Sequence, residues 1–337
     1  MGKTYKESGV DIDAGESAVQ KIAQSLQSTY NENVLSEVGH FGGFYRFDQS
    51  SFTDPVLVSS TDGVGTKLKL AFMTGNHRTI GQDLVNHCVN DILTSGATPL
   101  FFLDYIGIGT MDEEVVAAVV EGLSVACREN GCALIGGELA ELREFYHEGE
   151  YDMAGTIVGV VERENIINGS TIREGDIILG LPSNGLHTNG YTLARQVLLE
   201  EYAVDEYVEE LGCSVGEEML RIHRSYLGEI QPLVGDPRIK GIAHVTGGGL
   251  LGNTRRIVPD GLNLNINRDS WEMPPVFHLL QKIGEIPDED LYRTFNCGIG
   301  MVLVMAEKDV KEIRPQVRID GEEPVVIGEI VREEQDR

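Results

Sequence analysis

Apolar residues recur along this chain in two rhythms. Short unbroken runs at Pro55-Val56-Leu57-Val58, Leu100-Phe101-Phe102-Leu103 and Thr156-Ile157-Val158-Gly159-Val160-Val161 predict strands. Between the first two, Ile80, Leu84, Cys88 and Ile92 recur every four residues, with Val85, Val89 and Leu93 one step round. That stripe has the helical period and predicts a helix closed by Gly96. Asp112 is an N-cap for a second helix, carried by Val116, Val119, Leu123 and Cys127 and ended by Gly131. Cys132 to Ile135 predicts the next strand.

Around 165–175 the rhythm breaks into Asn165, Asn168-Gly169-Ser170 and Gly175-Asp176, a polar turn cluster suited to a domain joint. The expected division is 1–167 and 168–337. Beyond it, Ile177 to Leu181, Met301 to Val304 and Val325 to Ile327 predict strands and Thr192 to Glu200 a helix, so both halves mix α and β. The segment 202–218 carries too weak a pattern to assign.

Composition then narrows the partners. The 337 residues suffice for two domains. With 54 acidic against 27 basic residues, a formal charge of −27 repels nucleic acid and anionic membranes, so neither is an expected partner. An anionic ligand must therefore be met locally, by a cation, a lysine or backbone amides. The expected surroundings are cytoplasmic: no run of about 18 apolar residues occurs, and the start, Met1 to Glu7, is polar. Five scattered cysteines, none in a C-x-x-C pair, fit reduced thiols rather than disulfides or structural zinc.

Chemistry concentrates in Ser60-Thr61-Asp62-Gly63-Val64-Gly65-Thr66-Lys67, directly after the first predicted strand. The glycines let amides approach an anion, Lys67 brings positive charge, and Asp62 suits a divalent cation, which reads as a triphosphate loop without the Walker spacing. Asp83, His87 and Asp91 lie four apart, on one helical face. Asp91 sits in the helix's last turn, where a carboxylate opposes the macrodipole and invites a cation, although a solvated acid is the plainer reading. Gly136-Gly137-Glu138 follows the strand at 132–135, and ligands gather at strand ends in α/β folds. Asp62, Asp91 and Glu138 together make an oxygen set of the kind Mg²⁺ takes. Two later loops, Pro182-Ser183-Asn184-Gly185-Leu186-His187-Thr188-Asn189-Gly190 and His244-Val245-Thr246-Gly247-Gly248-Gly249, precede predicted helices and offer amides to a phosphate; each is also what a capped turn looks like. His187 and His244 are the histidines within them that suit proton transfer near neutral pH. Cys297, with no histidine near it in sequence, reads as packed.

Taken in order, these motifs with Asp11-Ile12-Asp13-Ala14-Gly15 and Asn296-Cys297-Gly298 closely resemble the phosphoribosylformylglycinamidine cyclo-ligases, or aminoimidazole ribonucleotide synthetases, from Tyr5 to about Val331. The resemblance implies a two-domain α/β fold. Its N-terminal sheet pairs with the sheet of a dimer mate, and its C-terminal domain has a mixed sheet with flanking helices. It implies ATP-dependent closure of formylglycinamidine ribonucleotide to aminoimidazole ribonucleotide in purine synthesis. ATP and Mg²⁺ are the implied cofactors, with a monovalent cation such as K⁺ admitted.

By motif match, Asp62, Asp91 and Glu138 hold the metal, and Gly63, Gly65, Thr66, Lys67, Gly136 and Gly137 join them around ATP. Ser183, Asn184, Gly185, His187, Asn189, Thr246, Gly247 and Gly248 take the ribonucleotide, with Lys67, His187 and His244 as the catalytic candidates. Two rivals stay open: a sibling kinase or dehydratase of the same superfamily, and a silent nucleotide-binding regulator. One departure is marked: Leu139 to Glu144 reads Leu-Ala-Glu-Leu-Arg-Glu where the family usually has Thr-Ala-Glu-Met-Pro-Gly.

Overall fold

A computed structural model describes residues 12–333, so Tyr5 to Asp11 of the resemblance lie outside the described residues. The chain forms two compact units. One comprises the residues up to Val89 with Pro99–Val160; the other comprises Asn90–Thr98 with the residues from Val161 onward.

The first unit holds helix α1 (Ile12–Gln27), strand β1 (Pro55–Gly63), α2 (Leu68–Thr74), most of α3 (Arg78–Leu93), β2 (Thr98–Ile108), α4 (Glu113–Glu129), β3 (Ala133–Glu141) and β4 (Tyr151–Glu162). The stripe read from the sequence is the buried face of α3: Ile80, Leu84, Val85, Cys88, Val89, Ile92 and Leu93 are all buried. Asp112 caps α4 as expected, its carboxylate accepting the N–H groups of Glu114 and Val115.

The strands form one sheet in the order β1-β4-β2-β3, with β2 and β3 parallel. Leu84 of α3 and Phe102 of β2 fill the space that a Cβ on Gly155 would need, so helix and sheet meet closely there. On the opposite face Thr61 bonds Thr156, and Leu57 (64% exposed) and Tyr105 (37%) remain accessible.

The second unit holds β5 (Asp176–Pro182), α5 (Tyr191–Glu201), the short pair β6 (Tyr207–Val208) and β7 (Cys213–Ser214), α6 (Val215–Met219) and α7 (Leu227–Ile230). It continues through β8 (Gly241–His244), α8 (Gly249–Arg255), β9 (Leu262–Ile266), α9 (Pro275–Gly284), α10 (Asp288–Thr294), β10 (Ile299–Ala306), α11 (Glu307–Ile313) and β11 (Val325–Arg332). Its sheet runs β8-β10-β5-β11-β9. Helices and strands mix in this unit, but neighbouring strands in the sheet are antiparallel throughout, where a mixed sheet was expected. An apolar run marks a buried strand without recording its neighbour's direction. Ile178, Ile299, Val302, Val304, Ile327 and Ile330 form the centre of its core.

Candidate functional site

In the first unit the loop after β1 turns at Gly65, whose φ of +65° is cheap only for glycine, and runs through a short 3-10 turn into α2. Asp62 is held from two sides: its Oδ1 accepts the Gly63 N–H at 2.7 Å, and its Oδ2 lies 2.7 Å from His87 Nε2. Its side chain stays 43% exposed. A carboxylate braced by an imidazole in this way is how metal ligands are commonly oriented.

Lys67 departs from expectation. Its ammonium lies 2.8 Å from Asp83 Oδ1, both side chains fully buried, so it braces the loop from beneath and does not face an incoming phosphate. Burial pulls its pKa down, against the pull of Asp83.

Glu138 also departs. β3 continues to Glu141, so Gly136-Gly137-Glu138 is mid-strand and not at a strand end. β3 and β1 are opposite edges of the sheet, three strand spacings or about 14 Å apart. Glu138 and Asp62 therefore do not meet within one chain. The cause is β4, last in sequence but inserted between β1 and β2. In the altered 139–144 segment, Glu141, the acid that both patterns share, accepts the Met111 N–H at 3.1 Å and the Arg143 guanidinium at 3.0 Å.

Asp104 on β2 was not singled out by sequence. It lines an apolar cavity with Val19, Ile22, Val116 and Ile135, and burial raises its pKa from 3.8 to about 7.

The second unit gathers more of the expected residues. Asp91, on the last turn of α3, is no solvated acid: its Oδ1 accepts from His244 Nδ1 at 2.8 Å. Asp91, His244 and Thr246 line one cavity of about 260 Å³, together with Thr94, Asn253 and Arg256. Its polar wall offers the Asp91 carboxylate and the Thr94 and Thr246 hydroxyls, oxygen donors of the kind a hard cation such as Mg²⁺ takes, beside the Arg256 guanidinium. Asn253, missed in the sequence, closes the glycine turn by donating to the carbonyls of Thr246, Gly247 and Gly249. Gly247 lies beside Asn189 Oδ1, with only van der Waals room for a Cβ.

Ser183, Asn184 and Gly185 line a separate cavity of about 190 Å³ beside Arg221. Ser183 Oγ donates to Asn296 Oδ1 at 2.8 Å, and Asn296 Nδ2 donates to the Gly185 carbonyl at 2.8 Å, which staples the two loops. The Cys297 thiol next to them is buried and pushed up to about 12, in keeping with its reading as a packed residue.

His187 is 1% exposed, at a left-handed φ of +59°. Its Nε2 lies 3.0 Å from Asn184 Oδ1, and a Cβ on Gly300 would fall 2.5 Å from its ring. It is packed into the loop's base and does not line either cavity. His223, also missed, stacks on His187 with ring centroids 4.1 Å apart and meets His244 Nε2 to Nε2 at 3.1 Å. Nothing in the local pattern of Ile222-His223-Arg224 marks it, because its partners come from distant segments.

Comparison with known proteins identifies the family and the fold. The families described as AIR synthase related protein, N-terminal domain and C-terminal domain, match residues 48–161 and 173–337. The phosphoribosylformylglycinamidine cyclo-ligase of Alkaliphilus oremlandii is 48% identical over 333 residues, covering 98% of each chain. That of Syntrophotalea carbinolica is 52% identical over 333 residues, covering 98% of this chain and 95% of its own. Among solved structures, thiamine-monophosphate kinase from Stenotrophomonas maltophilia superposes with a TM-score of 0.70 at 16% identity, covering 93% of this chain and 94% of that one. The hydrogenase maturation protein HypE in complex with ATP gives 0.68 at 17%, covering 97% and 89%. These two likenesses establish the fold alone. The full-length identity to the enzymes named above establishes that the chain belongs to the phosphoribosylformylglycinamidine cyclo-ligase family.

Proposed function

We propose that this chain closes the imidazole ring of aminoimidazole ribonucleotide, using ATP and formylglycinamidine ribonucleotide and releasing ADP and phosphate. The observation that carries the reading is identity of about half of all positions, over nearly the whole chain, with enzymes named for that reaction. A sibling kinase or dehydratase is not favoured, because those neighbours share the fold at 16–17% identity only.

The formyl oxygen is a poor leaving group until ATP phosphorylates it. The amidine nitrogen then attacks the activated carbon, the ring closes, and phosphate departs. Such a transfer asks the protein for positioning and charge neutralisation more than for covalent chemistry. By the family's motifs, Asp62 in one unit and Asp91 in the other are each candidates to hold Mg²⁺, which when bound would neutralise phosphate charge; the amides of Gly63 and Gly65 and the Thr66 hydroxyl steady the phosphates. Lys67, buried against Asp83, keeps that loop in shape. Thr246, Gly247, Gly248 and Asn189 receive the ribonucleotide, with Ser183, Asn184 and Gly185 holding their loop against Asn296. Both ring nitrogens of His244 already lie within hydrogen-bond distance of Asp91 and His223, which favours an orienting role over direct proton transfer.

The N-terminal part, to about 167, is the triphosphate and dimerisation domain, and the remainder takes the ribonucleotide. A homodimer accounts for the accessible sheet face around Leu57 and Tyr105, and for Glu138, which needs a second chain to approach a triphosphate on the β1 edge. No helix of the described residues is long and apolar enough to cross a membrane, which accords with a cytoplasmic enzyme. Purified protein given ATP, Mg²⁺ and formylglycinamidine ribonucleotide tests the reading. ADP and the aminoimidazole product are expected together, and absence of both ends it.

A further inference from the structure

We propose that His223 is a positioning residue for the Asp91 carboxylate, acting through His244. Two neighbours on the last turn of α3 meet the ring pair, Asp91 at the outer nitrogen of His244 and Asn90 at the Nε2 of His223 where the rings join. Asp91 Oδ1 lies 2.8 Å from His244 Nδ1, and Asn90 Nδ2 lies 3.3 Å from His223 Nε2. The rings join through their Nε2 atoms at 3.1 Å.

The Asn90 amide is fixed in orientation, since its Oδ1 accepts the Tyr226 N–H at 2.9 Å and its Nδ2 donates to the Arg224 carbonyl at 2.8 Å. On its far side, His223 Nδ1 lies 3.2 Å from Thr188 Oγ1, and its face is covered by His187. The ring is 0% exposed. An imidazole so enclosed meets no substrate, but it holds His244 at one angle, and His244 in turn aims a carboxylate that lines the open cavity. Chains of this kind behind a ligating carboxylate or histidine orient the ligand, and their loss weakens metal binding.

The inference rests on the reading of Asp91 as a metal ligand, and the test separates the two. With Asn90 Nδ2 donating, His223 Nε2 is the acceptor of that contact; the amide oxygen of glutamine can stand where imidazole Nε2 stood, whereas asparagine carries its amide only as far as Nδ1. Mn²⁺ is titrated into the full-length protein with a non-hydrolysable ATP analogue present and followed by electron paramagnetic resonance, for wild type, His223→Gln, His223→Asn and Asp91→Asn.

The expected result is that His223→Gln stays within about threefold of wild type while His223→Asn weakens Mn²⁺ binding about 10–100-fold, with the same unfolding temperature in both. Equal affinity in the two His223 variants overturns the inference, as does a loss that follows a falling unfolding temperature. If Asp91→Asn binds Mn²⁺ like wild type, the metal reading of Asp91 itself fails. If only Asp91→Asn weakens binding, that reading stands and the role of His223 falls.

Discussion

The ammonium of Lys67 and the carboxylate of Asp83 lie 2.8 Å apart with neither side chain reaching solvent. Removing one member strands the other as a buried charge, which costs about 3–5 kcal/mol. Lys67→Ala is therefore expected to lower the thermal unfolding temperature substantially, along with activity. The double change Lys67→Met with Asp83→Leu should regain most of that stability. A Lys67→Ala protein as stable as wild type, but inactive, would return the lysine to direct phosphate contact.

Asp104 makes stability depend on pH in a predictable direction. Its folded pKa, about 7, lies above the ordinary 3.8, because burial disfavours the charge. Between these values the unfolded chain has released a proton that the folded chain still holds, so this group's contribution falls as pH rises through that window. Asp104→Asn should flatten the decline of unfolding temperature between pH 4 and pH 7. Parallel curves for variant and wild type would refute the assignment.

Asp62→Asn keeps an oxygen for the Gly63 N–H while removing the charge beside His87. Turnover at saturating substrates should drop by about tenfold or more, with little change in unfolding temperature, since the group neutralises charge without supporting the core. Steady-state kinetics beside a thermal melt decide it. Unchanged turnover removes Asp62 from the site.

The accessible sheet face of the N-terminal unit gives a fourth expectation. Leu57→Glu adds a charge to an apolar surface at 64% exposure, where a monomer tolerates it and a dimer buried at that face does not. Sedimentation at micromolar concentration should find wild type as a dimer and the variant shifted toward monomer. The same mass for both proteins contradicts the proposed interface.

Much of this was legible beforehand because it is local. The four-residue rhythm of Ile80, Leu84, Cys88 and Ile92 predicted α3, and Asp112 predicted its own capping bonds. Segment 202–218 gave no signal because β6, β7 and α6 are only two to five residues long. Glu138 was matched to a strand end because the apolar run stops at Ile135, whereas the backbone ladder with β2 runs on through Gly136-Gly137 to Glu141. The burial of Lys67, the separation of Glu138 from Asp62, and the meeting of His223 with His244 depend on segments far apart in the chain. Motif spacing contains no information about those distances.

The insertion of β4 between β1 and β2 also sets an order of assembly. Until Glu162 has left the ribosome, β1 has no neighbour in this sheet, while the parallel β2 and β3 can already pair around α4. The strand that leads into the phosphate loop therefore gains its partner in the sheet only across the 87 residues that separate Gly63 from Tyr151, the kind of long-range closure that makes folding slow.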